Sequence, residues 1–174
     1  MKLVIASDIH GNLEYTKKLY EFCEKVEPDK IILLGDLLNN YYLSDYFVEN
    51  EIVQLMNRWS KITIGVRGNT DRVDDLEKLN FPISGSFDQI DIDGTMFYIT
   101  HGHLNNKYDY LFDDHYCLMG HTHRYDLEGK HFNPGSVGLP RGHKEHTCLF
   151  YENKEFKLIN LDDFTIIGTK SLNK

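Results

Sequence analysis

Cysteine is scarce in this chain, and the three that occur cannot staple a fold. Cys23, Cys117 and Cys148 are odd in number and lack zinc-ribbon or redox spacing. They read as reduced, buried thiols, which fits a cytosolic protein. Long apolar runs are missing too. No stretch approaches the ~20 residues of a membrane span. The opening MKLVIASDIHG lacks the apolar length and cleavage site of a signal peptide. The expectation is a cytoplasmic protein with no membrane partner. Positive charge is also short, with 19 Lys and Arg against 27 Asp and Glu, a formal net charge of −8. That argues against long nucleic acid as a partner, because backbone binding needs a broad basic footprint. Formal charge omits bound ions, so a local cationic centre stays open. Repeats, linkers and low-complexity stretches are absent. A single domain over residues 1–174 is expected, long enough to bury a core without staples.

Histidine, by contrast, is plentiful: nine residues in 174. His101 and His103 form one tight pair and His121 and His123 another, each beside glycine. Core packing does not explain that clustering. His115, His131 and His146 stand apart and read as structural.

The hydrophobic pattern places these residues. Lys2–Ser7, Lys30–Leu34 and Ile62–Val66 are short apolar runs that read as buried strands. Between them, Asn12 caps a predicted helix over Leu13–Val26, and Ser44 caps one over Asp45–Trp59 with Phe47 on its apolar side. Strand and helix alternation implies parallel pairing with right-handed crossovers. After Pro82 the pattern changes. Ile90–Ile92 and Met96–Thr100 flank Asp93-Gly94, a hairpin signal. Tyr116–Met119 follows, then paired strands around Glu128-Gly129, Glu152-Asn153-Lys154 and Asp162-Asp163. These are expected to complete a second, mostly antiparallel sheet. The predicted fold is an α/β/β/α sandwich: four layers, with two mixed β-sheets face to face and helices outside.

Five segments carry the chemistry: Asp8-Ile9-His10, Gly35-Asp36, Gly68-Asn69-Thr70-Asp71, Thr100-His101-Gly102-His103 and Gly120-His121-Thr122-His123. Each sets oxygen or imidazole donors beside a turn, and each falls just after a predicted strand. Ligands bind at that carboxyl edge in α/β sheets. Any one segment alone reads as a turn, a helix cap or a surface histidine pair. Five in order do not. Mixed carboxylate, amide and imidazole donors suit Mn²⁺, Fe²⁺ or Zn²⁺, and the lack of cysteine argues against a thiolate site. Two such ions ~3.5–4 Å apart can clamp a phosphoryl group and activate a hydroxide.

The order and wording of these segments resembles the calcineurin-like metallophosphoesterase superfamily, and within it the small YfcE-type phosphodiesterases. The resemblance runs from ASDIHG (Ala6–Gly11) through LGD (Leu34–Asp36), RGNTD (Arg67–Asp71), THGH (Thr100–His103) and GHTH (Gly120–His123) to NPGS (Asn133–Ser136). It implies two divalent metal ions, Mn²⁺ first, with Ni²⁺, Fe²⁺ or Zn²⁺ as alternatives. Asp8, His10, Asp36 and His123 would hold one ion. Asp36, Asn69, His101 and His121 would hold the other, so Asp36 bridges. Asp36, Asn69 and His101 would form the catalytic centre, where a bridging hydroxide attacks phosphorus in line. A homodimer or homotetramer is expected on the same ground.

One position departs from the family. Many members carry histidine after the motif asparagine, where it protonates the leaving group. Here that residue is Thr70, whose hydroxyl is a poor general acid. Small phosphodiesters and leaving groups of low pKa are therefore expected over alkyl monoesters, with Asp71 or His103 as candidate proton sources through water. Thr70, His103 and Arg67 are the candidate substrate contacts. His103 either backs His101 or touches phosphate, and Arg67 either orients substrate or sits on the surface. Tyr41 and Tyr42 either stack on an aromatic substituent or pack on the next helix. Arg141 and His143 are weaker candidates. The alternative function is a protein-interaction scaffold like the retromer subunit of the same fold. Such scaffolds tend to lose metal ligands, and here all seven are present.

Overall fold

The computed structural model describes residues 1–39, 46–104 and 114–172, except the side chains of Tyr46 and Phe47. Tyr41, Tyr42, Ser44, Asp45 and the Phe47 side chain therefore lie outside the described residues. In chain order the elements are β1 (Leu3–Ala6), α1 (Leu13–Val26), β2 (Lys30–Leu33), α2 (Tyr46–Arg58), β3 (Thr63–Val66), α3 (Val73–Leu76), β4 (Ile83–Ser84), β5 (Phe87–Ile92) and β6 (Thr95–Thr100). They continue as β7 (Tyr116–Met119), β8 (Tyr125–Asp126), β9 (His131–Pro134), β10 (Thr147–Glu152), β11 (Glu155–Asn160) and β12 (Ile166–Ser171). The expected strands and helices of the first half are present, with ends within one residue of those expected. Asn12 caps α1 by accepting from the Tyr15 N–H at 3.2 Å.

Two mixed sheets result. One has seven strands in the order β12-β11-β10-β1-β2-β3-β4, the other five in the order β5-β6-β7-β9-β8. The β1, β2, β3 and β4 strands pair in parallel, as the crossover helices require.

Two expectations are corrected. The strands around Asn153-Lys154 and Asp162-Asp163 do not join the second sheet. β10 pairs antiparallel with β1 and carries β11 and β12 into the first sheet. The reason is burial: five consecutive β10 residues, Thr147–Tyr151, are buried, as a strand covered on both faces must be. Nor is the second sheet mostly antiparallel. β6–β7 and β7–β9 are parallel pairs. Because β6 and β7 run the same way, the loops that follow them leave the same edge.

Alternating strand residues divide the interior. Val4, Ala6, Ile31 and Leu33 face α1 and α2 with Leu19, Phe22, Cys23, Ile52 and Met56. Leu3, Ile5, Ile32 and Leu34 face the second sheet with Phe97, Ile99, Leu118, Phe132 and Phe156. The described helices all pack on the seven-stranded sheet. No helix is long and apolar enough to cross a membrane among the described residues.

Candidate metal centre

The loops after β1 and β2 run side by side. Asp8 N–H donates to Gly35 O at 3.0 Å, His10 N–H to Asp36 O at 2.9 Å and Gly11 N–H to Leu37 O at 3.0 Å. This zipper holds Asp8, His10 and Asp36 at one edge. The loops after β3, β6 and β7 bring Asn69, His101, His121 and His123 to the same place. All seven expected donor residues therefore converge. Asp8, His101, Asp36, His123 and His10 are buried, whereas Asn69 and His121 are exposed at the mouth.

The donor atoms gather about two carboxylates: Asp8 groups with His10 and His123, and also with Asp36 and His101, beside which lie Asn69 and His121. In the first, Asp8 Oδ1 lies 3.3 Å from His123 Nε2 and 3.7 Å from His10 Nε2, and the two nitrogens are 3.3 Å apart. In the second, Asn69 Oδ1 lies 3.0 Å from His101 Nε2 and 2.9 Å from His121 Nδ1. Asp36 Oδ2 sits between the groups, 3.6 Å from His10 Nε2 and 3.4 Å from His101 Nε2.

Backbone carbonyls set the ring tautomers. His10 Nδ1 faces Asn39 O at 3.1 Å, His101 Nδ1 faces Leu34 O at 2.7 Å, and His123 Nδ1 faces Leu139 O at 2.5 Å. A carbonyl only accepts, so each Nδ1–H donates, and in the neutral ring Nε2 then presents its lone pair inward. In the neutral rings, the Nε2 lone pairs of His10, His123 and His101 thus face the Asp8, Asp36 and Asn69 oxygens without a proton between them. A cation relieves that conflict. Asp8 Oδ1 makes the same point: it is fully buried and has no hydrogen-bond partner among the described residues, whereas Oδ2 accepts from His121 N–H at 3.0 Å. The donor set fits divalent ions of borderline hardness.

The backbone carries strain here. Asp8, His10, Asp36, His121 and His123 have φ between +47° and +69°, the left-handed region. Such residues cost roughly 1–3 kcal/mol each and cluster at functional sites. A fully buried Leu, Ile or Phe contributes roughly 1.5–3 kcal/mol. The sheet-to-sheet core that carries these loops holds Leu3, Ile5, Ile32, Leu34, Phe97, Phe132 and Phe156 at 0% exposure. Close approach adds a second constraint. A Cβ on Gly68 would collide with Asp36 N and its carboxylate, and one on Gly120 with the Ser7 hydroxyl.

Three side chains brace the loops, and their function was not readable from the sequence. Asp71 accepts from the N–H groups of Asp36, Leu37 and Gly68, each at 2.8 Å. Asn133 Nδ2 donates to Gly120 O at 2.8 Å and Thr122 Oγ1 at 3.1 Å. Ser136 Oγ donates to Asp8 O at 2.7 Å and accepts from Leu139 N–H at 2.8 Å. The NPGS segment is thus the clamp joining the Asp8 loop to the His121-His123 loop. Asp71, considered as a proton source, has both oxygens occupied by N–H donors.

The remaining candidates surround this centre. Thr70 N–H donates to Asp36 Oδ1 at 2.9 Å, and its hydroxyl is buried without a hydrogen-bond partner among the described residues. The His103 ring lies 5.4 Å from His101 and 6.2 Å from His121 between centroids. Burial pushes its imidazole pKa down, as do the fields of His101, His121 and Arg67. Arg67 Nε donates to Asp71 O at 3.0 Å. Arg141 N–H donates to His123 O at 3.2 Å, and His143 packs on Tyr125 with ring centroids 4.2 Å apart. His146 stacks on Tyr15, away from the centre.

A fold of two mixed sheets with this edge of carboxylate, amide and imidazole defines a metallophosphoesterase. The chain belongs to the calcineurin-like phosphoesterase superfamily, whose domain profile matches residues 1–155. It is 32% identical to phosphodiesterase YfcE of Escherichia coli K12, over 99% of each chain. It also superposes on the solved structure of YfcE, a phosphoesterase from E. coli, with a TM-score of 0.84 and 30% identity, covering 99% of this chain and 100% of that one. An archaeal phosphodiesterase shares the fold with a TM-score of 0.69 at 24% identity, covering 91% of this chain and 99% of that one.

Proposed function

We propose that the chain is a dinuclear metal-dependent phosphodiesterase acting on small diesters, with residues 1–174 as one domain. The observation that carries this reading is Asp36 Oδ2 standing between His10 Nε2 and His101 Nε2, at 3.6 and 3.4 Å, beside the buried Asp8 common to both clusters of donors. Asp8, His10, Asp36 and His123 hold one divalent ion, and Asp36, Asn69, His101 and His121 hold the second. Bound ions would supply Lewis-acid charge against the phosphate oxygens and an activated water as nucleophile. The chain does the positioning. The Leu34, Asn39 and Leu139 carbonyls orient three rings, and Asp71 fixes the Asp36 loop. Exposed Asn69 and His121 mark the side from which substrate enters. Asp36, Asn69 and His101 are the catalytic centre, and Thr70, His103 and Arg67 touch substrate. Mn²⁺ is the first choice of metal, with Ni²⁺, Fe²⁺ or Zn²⁺ as alternatives. Three buried, free cysteines support a reducing, cytoplasmic setting. Family resemblance supports a homodimer or homotetramer.

The scaffold reading is not favoured, because no donor is missing and the homologue with matching length is a phosphodiesterase. The test is a metal-stripped protein given Mn²⁺, Ni²⁺, Mg²⁺ or Zn²⁺ with bis(4-nitrophenyl) phosphate, phosphomonoesters and single-stranded DNA. Diester turnover that needs metal and disappears in Asp36→Ala is expected. Identical, null behaviour of wild type and Asp36→Ala under every metal would return the scaffold reading.

A further inference from the structure

Beside the donor groups, between the loops after β3 and β6, lies a cavity of about 400 Å³. Asn69 lies on its wall, so it adjoins the proposed reaction centre directly. Its size is that of a small-molecule pocket, far larger than one phosphate oxygen needs. Arg67, Gly85, Ser86 and His103 also line it, and no acidic side chain does so among the described residues. That is unusual ground in a chain of net charge −8. Arg67 is held there by its Nε–H bond to Asp71 O at 3.0 Å. Among the described residues no carboxylate pairs with its guanidinium. A planar fork fixed at one nitrogen and otherwise unpaired is suited to bind a carboxylate or phosphate.

We propose that this cavity is the subsite for the retained ester substituent of the diester, and that Arg67 there selects a substituent bearing its own carboxylate or phosphate. The inference rests on the phosphodiesterase reading above. Holding the leaving group fixed tests the retained side directly. The cavity also has room to be narrowed. A Cβ built on Gly85 meets nothing within 4 Å.

Three 4-nitrophenyl diesters with one leaving group decide the matter: methyl, 2-carbamoylethyl and 2-carboxyethyl 4-nitrophenyl phosphate. Metal-loaded wild type is expected to favour the carboxyethyl over the carbamoylethyl ester by about tenfold in kcat/KM, the scale of one charge-assisted bond. Arg67→Gln keeps a donor for the Asp71 carbonyl and is expected to bring that ratio to about one. Arg67→Lys should retain part of it. Gly85→Leu should lower kcat/KM for both longer esters relative to the methyl ester. Equal rates for the charged and neutral esters in wild type, or a preference that survives Arg67→Gln, would overturn the assignment while leaving the phosphodiesterase reading intact. No turnover of any of the three would sink both. Should Arg67→Gln fail to fold, the wild-type ratio and Gly85→Leu still decide.

Discussion

His101 Nδ1 donates to the Leu34 carbonyl across 2.7 Å, tying the end of β6 to the strand that leads into Asp36. One ring thereby links the two sheets and faces Asn69 with its other nitrogen. The two atoms can be separated by mutation. Asn in this position imitates Nδ1–H but has nothing at Nε2. His101→Asn is expected to keep a melting temperature close to wild type and lose about a hundredfold or more in activity, since even residues behind the ligands cost about 10–100-fold. A variant that melts early but turns over normally would contradict the assignment.

Asp71 braces the loops of the centre. Both its oxygens accept backbone N–H groups of the Asp36 and Gly68 loops. Asp71→Asn turns one acceptor into a donor facing an N–H. The expected cost is about 1–3 kcal/mol in thermal or urea unfolding, from an unsatisfied buried group. If stability were unchanged and only the alkaline or acid limb of the rate profile moved, a proton-transfer role would be indicated instead.

Asn133 and Ser136 act through the loops they clamp. Asn133→Ala and Ser136→Ala are expected to weaken metal binding about 10–100-fold, read by competition with a chromogenic chelator, because they support the ligands from behind. Circular dichroism should be unchanged. Undiminished metal affinity in both variants would reduce the NPGS segment to an ordinary turn.

Asp36 and its histidines set a pH dependence. Burial opposes charge on His10 and His101, but their hydrogen bonds and the Asp8 and Asp36 charges raise both above the usual 6.5. Burial also opposes charge on Asp36, yet His101 and the Thr70 N–H hold its carboxyl well below the ordinary range. Raised histidines stabilise the metal-free fold below pH 6.5, and the gain is lost as pH climbs through their folded values. The lowered Asp36 stabilises above the usual carboxyl value of 3.8, and that gain is lost on acidification. Burial lowers the pKa of His103, His121, His123 and His146, and these oppose the gain from His10 and His101 as pH falls. Metal must displace the imidazole protons, so binding at pH 6 should release protons and weaken on further acidification. Calorimetry in two buffers of different ionisation enthalpy measures this, and zero proton release would refute it.

On the proposed reading, Thr70 limits the leaving-group range. Its hydroxyl lies buried beside Asn69 and cannot serve as an efficient acid near neutrality. Thr70→Ala is expected to change turnover of activated diesters little, whereas Thr70→His should raise turnover of phosphomonoesters by roughly 10²-fold, the lower range of general-acid catalysis. A large loss of diester turnover in Thr70→Ala would argue that the hydroxyl takes part directly.

The sequence by itself determined most of the elements and picked out the candidate donors. Asn12 and the spacing of Leu19, Phe22 and Cys23 specify α1, and apolar runs specify β1, β2 and β3, because both patterns are local. Asp8, His10, Asp36, Asn69, His101, His121 and His123 were legible as a set because each follows a strand. Sheet membership was not legible, since β10 is separated from its partner β1 by well over a hundred residues and pairs through burial on both faces. Nor were the left-handed backbone at Asp8, His10, Asp36, His121 and His123, the carbonyls that choose each ring's tautomer, or the Asp71 and Ser136 braces. These depend on distances between loops far apart in the chain. Parallel pairing sends the loops of each sheet to one edge, and packing of the two sheets brings those edges together.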